Sequence, residues 1–139
     1  MKVEIFALCD AATDQSGKLN ILGTFDTILA PQIPLLYQNC VVAVKMRWEK
    51  IEEGKKKIRI TFSDVDGQPV IPPLEAEMTV QIAGNPQNAN TTATNFILNI
   101  QQIRLERIGE YAIDLAINGR IEGSLPLYVT PAPVRRPLS

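Results

Sequence analysis

The stretch CVVAVKMRWE, residues 40–49, decides the fold class of this chain. Its even-numbered positions, from Cys40 to Trp48, are all apolar, whereas the odd positions include Lys45 and Arg47. Successive side chains of a strand point to opposite faces, so this period of two predicts a β-strand with one face on a core. The predicted outward set is Val41, Ala43, Lys45, Arg47 and Glu49.

The same alternation recurs along the chain and predicts about eight strands. The only helix-like stretch, residues 50–53, is a single turn ended by Gly54. Strands at this spacing, without helices between them, predict an all-β fold that is an antiparallel β-sandwich, with a closed barrel as the alternative. The predicted strands are residues 2–10, 18–29, 40–49, 57–63, 74–82, 95–104, 110–118 and 121–129.

Turn signals separate several of these strands. Residues 14–17 (DQSG), 64–67 (DVDG) and 118–119 (NG) predict hairpins, because Asn or Asp followed by Gly tolerates positive φ. Pro31 and Pro34 interrupt backbone pairing, which favours a crossing from one sheet to the other. Residues 83–94 are polar and uncharged and predict a loop.

A tyrosine near the start of a late strand suggests an immunoglobulin-like arrangement. Gly109 precedes Tyr111 by two residues, as in the tyrosine corner of such sandwiches. The usual Cys…Trp…Cys spacing is missing, since Trp48 follows both cysteines. We therefore predict one immunoglobulin-like sandwich domain over residues 1–130 and a flexible Pro/Arg tail over residues 131–139.

Composition removes several classes of chemistry. The 139 residues contain no histidine, so His-dependent triads and histidine-ligated metal centres are excluded. No GxSxG elbow and no phosphate-binding glycine loop is present. We expect a protein that is not an enzyme and that needs no cofactor, with a carboxylate-only site as the remaining catalytic alternative.

Charge and hydropathy indicate a cytoplasmic protein that binds neither nucleic acid nor membrane. The net charge is −1, whereas nucleic acid and anionic membranes attract a basic excess. No apolar run reaches the roughly 18 residues that span a bilayer. Glu4 and Asp10 interrupt the N-terminal apolar residues, which disfavours a signal peptide. Cys9 and Cys40 lack the spacing of metal or redox sites and are expected to be small buried side chains.

Three segments carry a resemblance to a known family. They are GKLNILGTFDTI (residues 17–28), FSDVDGQPVIPPLEAEM (residues 62–78) and GEYAIDLAINGRIEGSLPLYV (residues 109–129). Together they resemble a family of small, uncharacterised bacterial β-sandwich proteins. The resemblance implies a stand-alone bacterial cytoplasmic domain and carries no activity, ligand or catalytic residue.

Two groups of polar residues are candidates for an interaction surface. Basic residues lie on the outward faces of successive predicted strands, where they either bind an acidic partner or pair with Glu75 and Glu77 across strands. Amides in the predicted loop either hydrogen-bond a ligand or form a solvated connection. The candidates are Lys45, Arg47, Lys57, Arg59, Asn85, Gln87, Asn88 and Asn90.

Asp64 and Asp66, followed by Gly67, resemble part of a calcium loop. If Gly67 were the sixth loop position, Phe62 and Pro73 would fall at the first and twelfth positions, and neither can coordinate as an EF-hand requires. A looser inter-strand calcium site and an ordinary hairpin turn are the two alternatives.

These observations favour a non-enzymatic module that binds another protein or forms a homo-oligomer. Exposed strand edges and end loops are the surfaces that a sandwich offers for this purpose. We expect the binding surface at the last strand, where Pro126 suggests an edge, or at residues 83–94. A small-ligand or carbohydrate-binding module that uses the end loops is the alternative, and an enzyme ranks third.

Overall fold

The computed structural model describes residues 1–82 and 90–133 and shows an all-β chain of two sheets. The predicted loop residues Asn85, Gln87 and Asn88, and most of the predicted tail, lie outside the described residues. The strands are β1 (Lys2–Gln15), β2 (Lys18–Thr24), β3 (Thr27–Ala30), β4 (Leu35–Glu49), β5 (Gly54–Asp64), β6 (Leu74–Val80), β7 (Thr91–Leu105), β8 (Gly109–Ile117) and β9 (Arg120–Pro131), with a 3₁₀ turn at Lys50–Glu52.

The four-stranded sheet has the order β2-β1-β4-β7 and the five-stranded sheet has the order β3-β9-β8-β5-β6. The predicted strand 18–29 is in fact two strands, because the chain leaves the first sheet at Phe25 and Asp26. β3 then runs parallel to β9, where the Tyr128 amide donates to the Asp26 carbonyl at 2.7 Å. The prediction of a purely antiparallel fold is therefore wrong at this pair.

A crossing between sheets occurs at the two prolines, as predicted, but it returns the chain to the sheet that contains β2. Residues 31–34, which contain Pro31 and Pro34, connect β3 in the five-stranded sheet to β4 in the four-stranded sheet. The hairpin turns are also confirmed. The Gly17 amide donates to Asp14 Oδ1 at 2.9 Å, and Asn118 and Gly119 have φ of 51° and 83°, which suits a tight hairpin.

The main core lies between the two sheets and follows the predicted alternation. Val42, Val44, Met46 and Trp48 contribute buried side chains from the four-stranded sheet, and Ile58, Ile60 and Phe62 of β5 contribute them from the five-stranded sheet. Each fully buried large apolar side chain contributes about 1.5–3 kcal/mol. The principal members from β5 and β8 are Ile58, Ile60, Phe62, Tyr111, Ile113, Leu115 and Ile117.

The outer face of the four-stranded sheet holds a second apolar cluster. Val41 and Ala43, predicted to face solvent, are buried there beside Cys9. The β1–β2 hairpin curls across this face: its side chains Ala12, Leu19 and Ile21 pack on the cluster together with Ile97 of β7. The prediction for Val41 and Ala43 is wrong, because the residues that cover them are distant in sequence.

Polar contacts hold the tip of this hairpin against β7, although β4 lies between β1 and β7 in the sheet. Asn95 Nδ2 donates to Asp14 Oδ2 and to the Gly17 carbonyl, both at 3.2 Å. The curl begins at Asp10 and Gly23. These two residues lie opposite each other, but they are the one position missing from the β1–β2 pairing between Cys9 and Gln15. Gly23 has φ of +70°, a conformation that glycine adopts without steric cost.

Strand β7 begins earlier than predicted, at Thr91 rather than at residue 95. The threonines that suggested a loop are β-branched and fit a half-buried sheet surface. Two of them also bind β4: Trp48 Nε1 donates to Thr94 Oγ1 at 2.8 Å, and Arg47 Nη1 donates to Thr91 Oγ1 at 3.1 Å. At the other terminus β9 extends through Pro131, and the Ala132 amide donates to the Ala30 carbonyl.

Both cysteines are buried free thiols, as predicted. Cys9 belongs to the outer cluster and Cys40 to the main core, so the two side chains lie on opposite faces of the sheet. Burial raises the pKa of the Cys40 thiol to about 12 and also raises the pKa of Cys9.

We expect both thiols of the folded protein to be unreactive, because the thiolate is the nucleophile and burial suppresses it. The measurement is colorimetric labelling with an aromatic disulfide reagent at about pH 8. Folded protein should label negligibly, and both cysteines should label after unfolding in denaturant. Rapid labelling of either thiol in folded protein would contradict the placement of these side chains.

Candidate functional site

The structure divides the basic candidates between two surfaces. Lys45 and Arg47 lie on the outer face of β4, in the four-stranded sheet. Lys57 and Arg59 lie on β5, in the five-stranded sheet, opposite the buried face of that strand. The outer faces of two sheets that share a core point away from each other, so these four residues do not form one patch.

Carboxylates neighbour the basic residues on each surface. Arg47 Nη2 lies 3.2 Å from Glu4 Oε1, and this hydrogen bond is the main cause that lowers the pKa of Glu4. Arg59 Nη1 lies 3.7 Å from Glu75 Oε1. Lys57 is directly opposite Glu77 in the β5–β6 register. The cross-strand pairing that was one of the two interpretations is therefore present on the five-stranded sheet.

A polar corner forms where the end of β5 meets the segment before β8. Asp64 Oδ1 accepts the amides of Asp66 at 2.9 Å and Gln68 at 3.0 Å. Arg107 Nη2 donates to Asp64 Oδ2 at 2.9 Å and contacts Asp66 Oδ2 at 3.4 Å. A guanidinium therefore bridges the two carboxylates that resembled part of a calcium loop. Within residues 1–82 and 90–133, no cluster of three or more potential metal ligands occurs.

The same corner contains the predicted tyrosine contact. The Tyr111 hydroxyl donates to the Arg107 carbonyl at 2.6 Å, four residues upstream. Tyr111 also packs against Phe62, with ring centroids 6.0 Å apart. The cavity beside it measures about 70 Å³, which is too small for a typical small-molecule site of about 300 Å³ or more.

The Asp64 carboxylate is expected to make stability depend on pH. The Gln68 amide, with Arg107 and the Asp66 amide, lowers the pKa of Asp64 below its ordinary value of 3.8. A lowered pKa in the folded state stabilises the fold above the unfolded-state pKa, and this contribution is lost as pH falls through the folded-state pKa.

We therefore expect Asp64→Asn to be less stable than wild type at about pH 7 and to approach wild type as pH falls through the folded-state pKa of Asp64, where the wild-type side chain also becomes neutral. Urea unfolding across this range measures the difference. Asp114→Asn, on the outer face of β8, is a control carboxylate variant. A penalty for Asp64→Asn that stays constant with pH would contradict the ionic contribution.

Aromatic side chains in the described part of the chain do not gather into a ligand platform. Trp48 is buried, as predicted. Tyr37 is half-buried and packs against Phe25, with ring centroids 6.0 Å apart. Tyr128, on β9, is exposed. Stacking on a sugar requires an exposed ring surface, so this arrangement gives little support to the carbohydrate-binding alternative.

The strand edges differ in how they are protected against pairing. The edge strands are β2 and β7 in one sheet and β3 and β6 in the other. β2 bends at Gly23, and β3 has only four residues and is followed by Pro31. β6 carries Glu75 and Glu77. Bends, short length, proline and charge are the usual devices that prevent edge-to-edge association.

Strand β7 lacks these devices over most of its length. It has fifteen residues, TTATNFILNIQQIRL, and its first charged residue is Arg104. β4 pairs with one side of it over nearly the whole strand, and no described strand pairs with its other side. This long, uncharged, open edge is the candidate functional site.

The phase of the β4–β7 ladder shows which backbone groups are free to pair. The Lys50 amide donates to the Asn90 carbonyl at 3.2 Å, so even-numbered positions of the adjoining strand face β4. The odd-numbered residues direct their N–H and C=O groups to the open edge until Gln102, where φ is +54° and the pair with Gln38 is missing from a ladder that keeps one register. Apart from Gln101, which adjoins this irregular position, these residues are Thr91, Ala93, Asn95, Ile97 and Asn99.

One residue predicted from the sequence lies next to this site, but the site itself was not predicted. Asn90, the last of the predicted loop amides, is exposed immediately before β7. β9, which was expected to be the edge, is covered by β3 from Tyr128 onward, and only the part before it, including Pro126, is open on that side. The sequence feature that could have indicated an unprotected edge at β7 is the absence of charged residues from Thr91 to Ile103, within a stretch that favours strand formation.

Comparison with known proteins identifies a family whose function is unknown. A profile described as a family of unknown function (DUF6941) matches residues 4–130. The chain belongs to this family. Membership in an uncharacterised family was predicted from the sequence and is confirmed. No curated protein is significantly similar to this member of DUF6941.

Solved structures similar to this DUF6941 chain show the fold alone. A β-glucosidase from Listeria innocua, in complex with isofagomine, matches 95% of the chain with a TM-score of 0.53 and 11% identity. The alkylpurine DNA glycosylase AlkC from Pseudomonas fluorescens, bound to DNA with an abasic site analog, matches 93% with a TM-score of 0.52 and 9% identity. The chain spans only 17% and 30% of these two proteins. No helix in residues 1–82 and 90–133 is long and apolar enough to span a membrane.

Proposed function

We propose that this chain is a non-enzymatic, immunoglobulin-like β-sandwich module that binds a protein partner, or a second copy of itself, by accepting a strand along β7. The observation that carries the proposal is the uncharged open edge from Thr91 to Asn99. An extended segment added to such an edge gains main-chain hydrogen bonds, and alternate side-chain positions provide selectivity.

The strand pairing supports the immunoglobulin-like part of this proposal. β1, β4 and β7 correspond to strands A, B and E, and β5, β8 and β9 correspond to strands C, F and G. The hydroxyl of Tyr111 binds its upstream carbonyl at the start of β8, as expected for strand F. Two features depart from the pattern: Trp48 lies on β4 rather than on strand C, and β2 occupies the edge beside β1.

The absence of histidine supports the non-enzymatic part of the proposal. The cavity at Asp64 and Arg107 gives the ligand-binding alternative little support, because it is small and its polar groups already bind each other. A bacterial cytoplasm is the location that we propose, because unpaired thiols such as Cys9 and Cys40 are usual in reducing compartments.

Two matched variants test the binding edge. Ala93→Glu adds a charge to the open edge of β7, and Ala116→Glu adds the same charge to β8, a central strand of the other sheet. Both alanines are half-buried, and each lies opposite an arginine in the register: Ala93 opposite Arg47, and Ala116 opposite Arg59. The two variants therefore perturb the monomer in similar ways and differ in their effect on the edge.

The measurement is affinity capture from the native host with tagged wild-type, Ala93→Glu and Ala116→Glu proteins, read by mass spectrometry. We expect wild type and Ala116→Glu to retain the same binding protein or untagged chain, and Ala93→Glu to lose it while keeping the wild-type melting temperature. Equal retention by all three proteins, or no capture by wild type, would contradict the proposal.

A further inference from the structure

We infer that the strand accepted by β7 is β7 of a second copy, paired antiparallel about a two-fold axis beside Asn95. This inference rests on the proposed function and names its partner. Two four-stranded sheets would join into one continuous eight-stranded sheet. Two-fold dimers with self-complementary interfaces are the commonest form of soluble oligomer.

The backbone favours this register. The regular, outward-facing part of β7 runs from Thr91 to Asn99, and Asn95 is its midpoint. With the axis at Asn95, Ala93 lies opposite Ile97 of the partner subunit and Thr91 lies opposite Asn99 of the partner subunit. All five outward-facing residues then exchange two hydrogen bonds each with their counterparts, about ten in total. A shift of the axis toward the end of β7 would bring the irregular backbone at Gln102 into the interface and lose some of these bonds.

The side chains are also compatible with self-pairing. On the inner face, Phe96 would lie opposite Thr94 of the partner subunit, and Leu98 would lie opposite Thr92 of the partner subunit. Aromatic and β-branched cross-strand pairs are favourable, whereas like charges directly opposite each other are destabilising. No charged residue occurs within β7 between Thr91 and Ile103, and the Asp14 carboxylate beside Asn95 accepts a hydrogen bond from that side chain.

The other edge strands show why β7 is the one that self-pairs. Antiparallel pairing of β6 with itself would bring Glu75 and Glu77 close to the same glutamates of a second copy. β3 is too short to contribute many bonds, and β2 is bent away at Gly23. Charge and shape therefore disfavour the alternatives and leave β7 as the self-complementary edge.

Sedimentation equilibrium of the purified full-length protein tests dimer formation. Wild type and Ala116→Glu should reach twice the chain mass of 15.4 kDa as concentration rises. Ala93→Glu should raise the dimer dissociation constant about tenfold or more, because a carboxylate would be buried opposite Ile97 of the partner subunit.

Cysteine cross-linking tests the register. Asn95→Cys places a thiol beside its own copy at the axis, and mild oxidation should give a covalent dimer on a non-reducing gel. Asn99→Cys, on the same face of β7, should remain monomeric because its counterpart lies at the far end of the paired segment. Cross-linking of Asn99→Cys without cross-linking of Asn95→Cys would overturn the proposed register.

The outcomes separate the inference from the proposed function. Wild-type protein that stays monomeric, while Ala93→Glu loses a different host protein, would overturn self-pairing and leave strand addition at β7 intact. Monomeric protein together with capture that Ala93→Glu does not affect would overturn both. A dimer that Ala93→Glu leaves intact would overturn self-pairing through β7.

Discussion

Replacement of Trp48 by alanine is expected to lower the free energy of unfolding by about 3–5 kcal/mol, the usual cost of removing a large buried aromatic side chain. Trp48 is among the largest fully buried side chains of the fold and lies in the core between the sheets. Its indole N–H binds Thr94 Oγ1, and Lys56 Nζ lies 5.6 Å from the ring centroid. The variant would lose packing, a hydrogen bond and a cation–π contact together.

Urea unfolding followed by circular dichroism measures this loss. Trp48→Phe is the matched control, because it keeps most of the apolar volume and removes mainly the bond to Thr94. We expect its penalty to be clearly smaller, about 1–3 kcal/mol. Because domains of this size are stable by only about 5–15 kcal/mol, Trp48→Ala should be partly unfolded at modest urea concentrations. A penalty below about 1 kcal/mol for Trp48→Ala would contradict the packing described for this residue.

Replacement of Gly23 by alanine is expected to lower the free energy of unfolding by about 1–3 kcal/mol, because its positive φ is costly for a residue with a Cβ atom. A Cβ at this position would also lie 2.5 Å from Asp10 Oδ2, so the Asp10 side chain must move. Both effects act where the β1–β2 hairpin begins to curl over Val41 and Ala43. The variant should therefore loosen the outer cluster more than the main core.

Gly17→Ala separates the cost of the positive φ from the cost of the close approach of Asp10. Gly17 also has a positive φ, +82°, but a Cβ there meets no atom within 4 Å. Urea unfolding should show a larger penalty for Gly23→Ala than for Gly17→Ala, and amide exchange should show reduced protection near Ala43 in Gly23→Ala alone. Equal penalties with unchanged exchange would contradict the close approach of Asp10 and Gly23.

Local pattern was sufficient to predict most of the strands and the face that each presents to the main core. The alternation at residues 40–49 and 57–63 identified Trp48 and Phe62 as core residues because strand geometry fixes which side chains share a face. The same rule failed for Val41 and Ala43. Their burial depends on a hairpin that precedes β4 by a whole strand, about which local alternation carries no information.

The candidate site was harder to predict than the fold because it depends on the order of strands in the sheets. Lys45 and Arg59 are on neighbouring strands in sequence and in different sheets in space. An open edge is likewise a property of strand order: the sequence of β7 shows that it is uncharged, and only the pairing shows that one side of it is free. Pro126 correctly indicated a locally unpaired position, but β3 pairs with that edge from Tyr128 onward.

Residue-resolved amide hydrogen exchange along β7 tests the central claim most directly. In dilute protein, the amides of Thr92, Thr94 and Phe96, which face β4, should be protected, and those of Ala93 and Asn95 should exchange rapidly. When the second copy or another partner strand binds, the outward-facing amides should become protected as well. Outward-facing amides that exchange rapidly at every concentration, and in the presence of every captured partner, would contradict strand addition at β7.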